Sequence, residues 1–285
     1  MDHEGNLSHT KHSAKGMKTL VSNDYEPLLE TTLEELKIHK NVPVLICGMA
    51  GAAQGWQEAN YIELPTNLNS LWKQAVKVNT IKRDVRILPG LSQRCVENPD
   101  VMRGEETLLS GALASGLEHE TYCLPGTHSK WVECKKGKIS SFKTFMTGEL
   151  FAIMSEHSTL SALLNHEHPE NDCDDEFRQA IVEACANPID LTNKLFSIRS
   201  GALLFGDDKK NRSAARLSGL LIGAEFAAMR QRINQTVGLI AEGKLANSYS
   251  IAMETLDIDF EIYDSHGLAR TGLLNCARQI WGETN

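Results

Sequence analysis

The sequence has no CxxC pair, although it carries seven cysteines: Cys47, Cys95, Cys123, Cys134, Cys173, Cys185 and Cys276. An odd count at wide spacings argues against a zinc ribbon or a thioredoxin-type redox site. Cys47 and Cys123 fall in apolar, strand-like runs, where buried free thiols are common. That usage suits a reducing compartment. Long apolar runs are also missing. Nothing approaches the roughly 20 residues that span a bilayer, and MDHEGNLSHTKHSAKG lacks the apolar core of a signal peptide. The expectation is a cytoplasmic protein without membrane contact.

Basic clusters are scarce too. The formal charge is −8, and the densest basic group, Lys209, Lys210 and Arg212, reads as a solvated linker. Nucleic acid, which is held through clustered Lys and Arg, is therefore excluded as a partner. Aromatics make up only 6% of the chain, so its cores must rest on Leu, Ile, Val, Ala and Met. There is no internal repeat and no low-complexity tract. GxGxxG, Walker A, GxSxG, HExxH and EF-hand patterns are absent. The histidines of HTKHS, with His157, His166 and His168, form no persuasive ligand set and read as surface residues.

What is present is a chain of 285 residues, 41% apolar, which suits two modest domains. Residues up to about 25 are polar and without periodicity. Leu28, Leu29, Leu33 and Leu36 mark an amphipathic helix over Pro27 to His39. VPVLIC, ending at Cys47, reads as a buried strand. A helix is expected over Asn67 to Val78, a strand over Val85 to Leu88, and a helix from Glu105 to Gly116. Thr121 to Leu124 reads as a strand. Trp131 to Cys134 and Ile139 to Phe145 read as a hairpin turning at Gly137. Helices are then expected at Gly148 to Leu164, Asp174 to Ala186, Leu191 to Phe205 and Ala214 to Ile233. A strand–helix–strand–helix segment follows: Thr236 to Ala241, Leu245 to Leu256, Asp259 to Tyr263 and Gly267 to Ile280. Alternating strands and helices predict α/β layers.

Four segments could carry chemistry. The first is ICGMAGAAQGW, where a buried strand delivers Gly48, Met49, Ala50 and Gly51 into a loop that continues to Gln54 and Trp56. Glycines allow close backbone approach to a ligand, and α/β sheets bind ligands beyond the carboxyl ends of their strands. Gln54 could bond hydroxyls and Trp56 could cover a sugar face; the plain alternative is a tight turn. The second is DVMRGEET. Arg103 is a two-pronged donor suited to a carboxylate or phosphate. Glu105 or Glu106 could take a proton from a substrate hydroxyl, and the plain alternative is a pair of acids favouring a helix start. The third is LPGTHSKWV. Gly126, Thr127, His128, Ser129 and Lys130 form a polar turn after a strand, an arrangement that can bind anions through its N–H groups; His128 also fits a structural role. TGEL, from Thr147, reads as a helix start with Thr147 as N-cap. The fourth is the turn at Glu242 and Gly243, either a nucleotide shelf or an ordinary strand–helix turn.

Together these segments resemble the 2-dehydro-3-deoxygalactonokinase family. VPVLICGMAG..QGW, LPGL, DVMRGEET, LPGTHSKWV, F.T.MTGEL and LSGLLIGAE occur in family order from about residue 14 to the C-terminal helix. The resemblance implies an actin-like, ribonuclease-H-like sugar kinase fold of two lobes with a cleft, here 1–115 on the sugar-acid side and 116–285 on the nucleotide side. It implies transfer of the γ-phosphoryl group of ATP, with Mg2+, to 2-dehydro-3-deoxy-D-galactonate. Gly48 to Trp56 would face the sugar acid. Arg103, Glu105 and Glu106 would be the catalytic group. Gly126 to Lys130 would hold phosphate, and Glu242 and Gly243 would lie near the adenosine. Such kinases open with a strand carrying Asp-Trp-Gly-Thr-Thr or similar, and MDHEGNLSHTKHS has none. The N-terminal lobe is accordingly expected to lack its first strand, or two, with weak or no kinase activity. Two further readings stay open: a non-catalytic sugar-acid-binding relative, and a kinase for another 2-keto-3-deoxy acid. A homo-oligomer is left open as well.

Overall fold

In the computed structural model the described residues are 6–16, 19–80, 83–164, 174–206 and 210–282. Cys173, His166, His168 and Lys209 lie outside them. The chain forms two compact units. One comprises Met1–Glu118, Cys134–Phe142 and Ser265–Asn285; the other comprises His119–Glu133 and Lys143–Asp264. Both are mixed α/β. Among the described residues no helix is long and apolar enough to cross a membrane.

The first unit begins with helix α1 (Tyr25–Glu35) and strand β1 (Val44–Ile46). Strands β2 (Tyr61–Glu63), β3 (Thr66–Asn67), β4 (Val76–Val78), β5 (Val85–Ile87), β6 (Gly90–Gln93) and β7 (Asp100–Met102) follow, then helix α2 (Glu105–Ala114). β1 runs parallel to β5, and β4 antiparallel to it. A second small sheet sets β2 parallel to β6 and β7 antiparallel to β6. The helix expected over Asn67 to Val78 is not formed. Asn67 instead caps a 3-10 helix, Leu68–Gln74, by accepting a hydrogen bond from the Asn69 N–H at 2.9 Å. The β-branched Val76 and Val78 then continue as β4, paired with Ile87 and Val85. Ala59, Val78, Val85 and Ile87 form a small buried cluster against which Leu29, Val44, Ile46 and Trp56 pack.

A buried ion pair ties α1 to the start of β5. The Arg83 guanidinium donates to both Glu30 carboxylate oxygens, at 2.7 and 3.1 Å, and to the carbonyls of Val42 and His39. Both side chains are nearly inaccessible, at 1% and 6%. Removing one member strands the other charge, so Glu30→Ala is expected to cost about 3–5 kcal/mol. Urea unfolding followed by circular dichroism would measure it; a loss below ~1 kcal/mol would contradict a desolvated pair.

The second unit is built on β8 (Thr121–Leu124), β11 (Val237–Ile240) and β12 (Phe260–Tyr263), all parallel. Strand β9 (Ser129–Lys135) adds antiparallel to β8. The chain then passes through the first unit for Cys134–Phe142, where strand β10 (Lys138–Phe145) follows a tight turn in which Lys136 and Gly137 both have positive φ, +49° and +72°. That is the conformation favoured in two-residue hairpins. The helices of this unit are α3 (Thr147–His157), α4 (Asp174–Ala186), α5 (Leu191–Phe205), α6 (Lys210–Met229) and α7 (Gly243–Thr255). Helix α8 (Ser265–Trp281) returns to the first unit. The single helix expected over Gly148 to Leu164 breaks at Ser158, whose backbone is extended (ψ 176°). The Ser158 hydroxyl donates to the Met154 carbonyl and accepts from the Leu160 N–H, closing α3 before a 3-10 turn at Ser161–Leu163.

Helix α6 lies close on α4 because its Gly219 and Gly223 carry no Cβ. One at Gly219 would stand 2.5 Å from the Phe177 carbonyl oxygen, and one at Gly223 would stand 2.5 Å from that of Ile181. Phe177, Ile181, Phe226, Val237, Leu239 and Tyr249 are part of the buried core beneath the sheet. As expected from the composition, Leu, Ile, Val, Ala and Met fill most of both units. Cys47, Cys95, Cys123, Cys134, Cys185 and Cys276 are free thiols.

Candidate active site

In the first unit, β1 delivers the chain into a loop whose shape depends on glycine. Gly48 has φ +81° and leads into a 3-10 turn, Met49–Gly51. A Cβ on Gly55 would lie 2.4 Å from the Ala50 carbonyl oxygen, and one on Gly51 would lie 2.9 Å from Arg103 Nη1. Gly104, with φ +115°, leaves only 3.4 Å between the site of its missing Cβ and the Cα of Gly48. The loop after β1 and the turn before α2 therefore touch. Two segments well separated in sequence, Gly48 to Trp56 and Arg103 to Glu106, are thereby brought together. Met49 and Gln54 are exposed, and Ala50 and Trp56 are half-buried.

Trp56 is oriented by stacking on Tyr25, with ring centroids 5.8 Å apart and planes 13° from parallel. Ser22 donates to the Trp56 carbonyl at 2.8 Å. Trp56 and Gln57 line a cavity of about 640 Å³ together with Ser22, Asn23, Glu26 and Pro27. Arg103 is held in place rather than free to sweep the site. Its Nη2 donates to the Ala59 carbonyl at 2.8 Å, and its guanidinium lies 4.3 Å from the centroid of the Tyr61 ring. Nε and Nη1 are buried and have no hydrogen-bond partner among the described residues. The guanidinium is thus fixed beside this loop, with Nε and Nη1 shielded from solvent.

The two acids that follow differ sharply. Glu105 is half-buried, and its Oε2 accepts from the Arg103 N–H at 3.0 Å. Glu106 is fully buried, accepting from the Gly104 N–H at 2.7 Å and from the Thr107 hydroxyl at 3.0 Å. Burial, reinforced by the charge of Glu105, pushes the Glu106 carboxyl up to about 7, against the lowering effect of those hydrogen bonds. Its neighbour Cys47 is pushed up to about 11, by burial and then by the Glu106 charge. Glu106 has no exposed surface, whereas Glu105 borders solvent.

The second unit contains the other two segments. In the turn after β8, Thr127 and His128 are exposed, and Ser129 and Lys130 are buried. The turn rests on the N-terminus of α3. The Glu149 N–H donates to the Thr127 carbonyl at 2.9 Å, and a Cβ on Gly148 would lie 2.5 Å from the Gly126 carbonyl oxygen. His128 Nε2 lies 2.8 Å from Glu149 Oε2. The Lys130 ammonium donates to the His128 carbonyl at 3.1 Å. The Ser129 hydroxyl points inward and donates to Glu225 at 2.7 Å. Thr147 does not cap α3 as expected: the N-cap position is Met146, and the Thr147 hydroxyl donates to Glu225 as well. Glu242, half-buried, is the N-cap of α7, and Gly243 follows it with φ +57°. Among the described residues no group of three His, Cys, Asp or Glu is placed to hold a metal ion.

Sequence reasoning missed Glu149 and Glu225. Glu149 stands in TGEL, read only as a helix start. Glu225 had one visible signal: it is an acid among Ile222, Ala224, Phe226, Ala227 and Met229, with no basic residue one helical turn away.

The 2-keto-3-deoxy-galactonokinase family profile matches residues 1–276. A protein of Rhizobium meliloti (strain 1021), named "Probable 2-dehydro-3-deoxygalactonokinase DgoK1", is 39% identical over 281 residues, which cover 98% of this chain and 92% of that protein. The 2-dehydro-3-deoxygalactonokinase of Escherichia coli (strain K12) is 32% identical over 243 residues, covering 85% of this chain and 80% of that protein. A crystal structure from Sinorhizobium meliloti, assigned to the same activity, superposes with a TM-score of 0.92 at 38% identity, covering 99% of this chain and 94% of that one.

Proposed function

The chain belongs to the 2-keto-3-deoxy-galactonokinase family, and on that basis we propose that it transfers the γ-phosphoryl group of Mg·ATP to 2-dehydro-3-deoxy-D-galactonate, giving the 6-phosphate. The observation that carries this reading is the contact of the Gly48 loop with the Arg103–Glu106 turn. The backbone of the Gly48 loop, the Arg103 guanidinium and the half-buried Glu105 carboxylate lie close together, which supports that reading. The fold proposed is the actin-like, ribonuclease-H-like sugar kinase architecture.

Phosphoryl transfer asks the protein for positioning and charge neutralisation more than for covalent chemistry. Sugar-acid contacts are assigned to Gly48, Met49, Ala50, Gly51, Gln54 and Trp56, with Arg103 answering the substrate carboxylate. Glu105 is the general base: it accepts the proton of the attacking hydroxyl as the new O–P bond forms and the bond to the leaving ADP oxygen breaks. Glu106 is assigned a structural role beneath it. Backbone N–H groups of Gly126 and Thr127, with His128, are assigned to the phosphates, and Ser129 and Lys130 hold that turn from inside. Glu242 and Gly243 are assigned to the nucleotide. The magnesium ion enters as part of the substrate complex and offsets phosphate charge. Free thiols and a metabolic substrate fit a cytoplasmic location.

A coupled ADP-release assay with 2-dehydro-3-deoxygalactonate and its C4 epimer tests the reading. The galacto acid is expected to give the higher kcat/KM. A preference for the epimer would reassign the substrate, and absence of ADP release with any keto-deoxy sugar acid would overturn the kinase reading.

A further inference from the structure

Glu225 is an acid inside the core of the second unit, only 2% exposed, on a helix with no assigned role. Among the described residues four neutral donors, and no basic side chain, hydrogen-bond to it. Ser129 Oγ and Trp131 Nε1 both donate to its Oε1 at 2.7 Å. Tyr249 OH donates to Oε2 at 2.8 Å, and the Thr147 hydroxyl donates to the same oxygen. Burial pushes the carboxyl up, and the hydrogen bonds from Thr147, Ser129, Trp131 and Tyr249 oppose that push. A carboxylate offers about four lone-pair sites, so this one is saturated. The donors come from three elements: β9, at its first residue Ser129 beside the phosphate turn and at Trp131, the start of α3, and α7.

Those places matter. Ser129 closes the Gly126–Lys130 turn, Thr147 opens the helix on which that turn rests, and Tyr249 lies on the helix that Glu242 and Gly243 begin. Resting on the kinase reading above, we infer that Glu225 is a positioning residue that fixes the phosphate turn and the α7 nucleotide segment in one register. It touches no substrate. Its effect is to hold in place the turn whose exposed residues are Thr127 and His128. Trp131 can donate but not accept, so an amide at position 225 would keep its oxygen toward Trp131 and Ser129. It would turn an –NH2 toward Thr147 and Tyr249, whose hydroxyls can reverse. Glu225→Gln should therefore fold while loosening the α3 and α7 side of the hub.

The test compares Glu225→Gln and Tyr249→Phe with the unmodified chain in steady-state kinetics and in calorimetric titration with ADP. A hydrogen bond to a charged group lost from a positioning hub predicts that KM for ATP and Kd for ADP rise about tenfold in both variants. KM for the sugar acid should stay within about twofold. Tyr249→Phe removes one donor without changing shape, so it carries the test if Glu225→Gln does not fold. Nucleotide constants unchanged within about twofold would overturn the inference. So would equal changes for both substrates or a lowered Tm alone, the mark of a merely structural acid. Titration with ADP needs no turnover. If the unmodified chain binds ADP without phosphorylating any sugar acid, the kinase reading fails while the role of Glu225 is still measured.

Discussion

Glu105→Gln is expected to lower kcat by about 10²–10⁴-fold, the contribution of a positioned general base, with binding of the sugar acid retained. Glu106→Gln is expected to leave kcat within about tenfold of the unmodified chain and to change the pH dependence of stability instead. The two acids are adjacent in sequence, but only one borders solvent. Glu106 accepts from the Gly104 N–H at 2.7 Å and supports the very turn that presents Glu105. Its folded pKa, about 7, lies above its ordinary value of 4.5, chiefly through burial. Between those pH values the folded state therefore holds a proton that the unfolded state has lost. Stability from this group is complete below pH ~4.5 and declines as pH rises through ~7, by about 3 kcal/mol in all. Glutamine mimics the protonated form, so the variant should lose that decline. Chemical denaturation from pH 5 to 8, with stopped-time ADP release on both variants, separates the roles. A large kcat loss in Glu106→Gln with Glu105→Gln unaffected would exchange them.

Local patterns made much of this fold legible. Helices at Asp174–Ala186 and Leu191–Phe205 follow their periodicity residue for residue. The Gly137 hairpin follows from a glycine between two alternating runs. What stayed hidden depends on distant partners. β2, β6 and β7 are only three or four residues long and gain their strand character from each other. Val76 to Val78 reads equally well as the end of a helix until β5 is placed beside it. At the site, motif residues were visible and their orientation was not. Nothing in GEE says that the first acid faces solvent and the second the core. Ser129 in PGTHSKW reads as a phosphate ligand because seryl hydroxyls often are; only the position of Glu225, 96 residues later, turns it inward.

Gly111→Ala is expected to destabilise the first unit by about 3 kcal/mol or more. Helices α2 and α8 cross where each has a glycine. A Cβ on Gly111 would sit 1.9 Å from the Leu268 carbonyl oxygen, and one on Gly272 would sit 2.1 Å from the Thr107 carbonyl oxygen. Real Cβ atoms do not approach so closely, and the obstacle is backbone, which no rotamer change can move. The helices would have to part. Separation would open the contact of α8 with α2 just below Glu106 and Thr107, so the turn that presents Glu105 would shift as well. Overpacking with a movable side chain costs about 1–3 kcal/mol; a rigid carbonyl puts this site at or above that range. Gly116→Ala is the control, since no heavy atom lies within 4 Å of its missing Cβ. Its positive φ, +76°, leaves only backbone strain, of order 1 kcal/mol. Thermal unfolding should therefore rank Gly111→Ala well below Gly116→Ala, and kcat should fall with the former even at temperatures where it remains folded. Equal Tm values for the two variants would mean that α2 and α8 do not meet at these glycines.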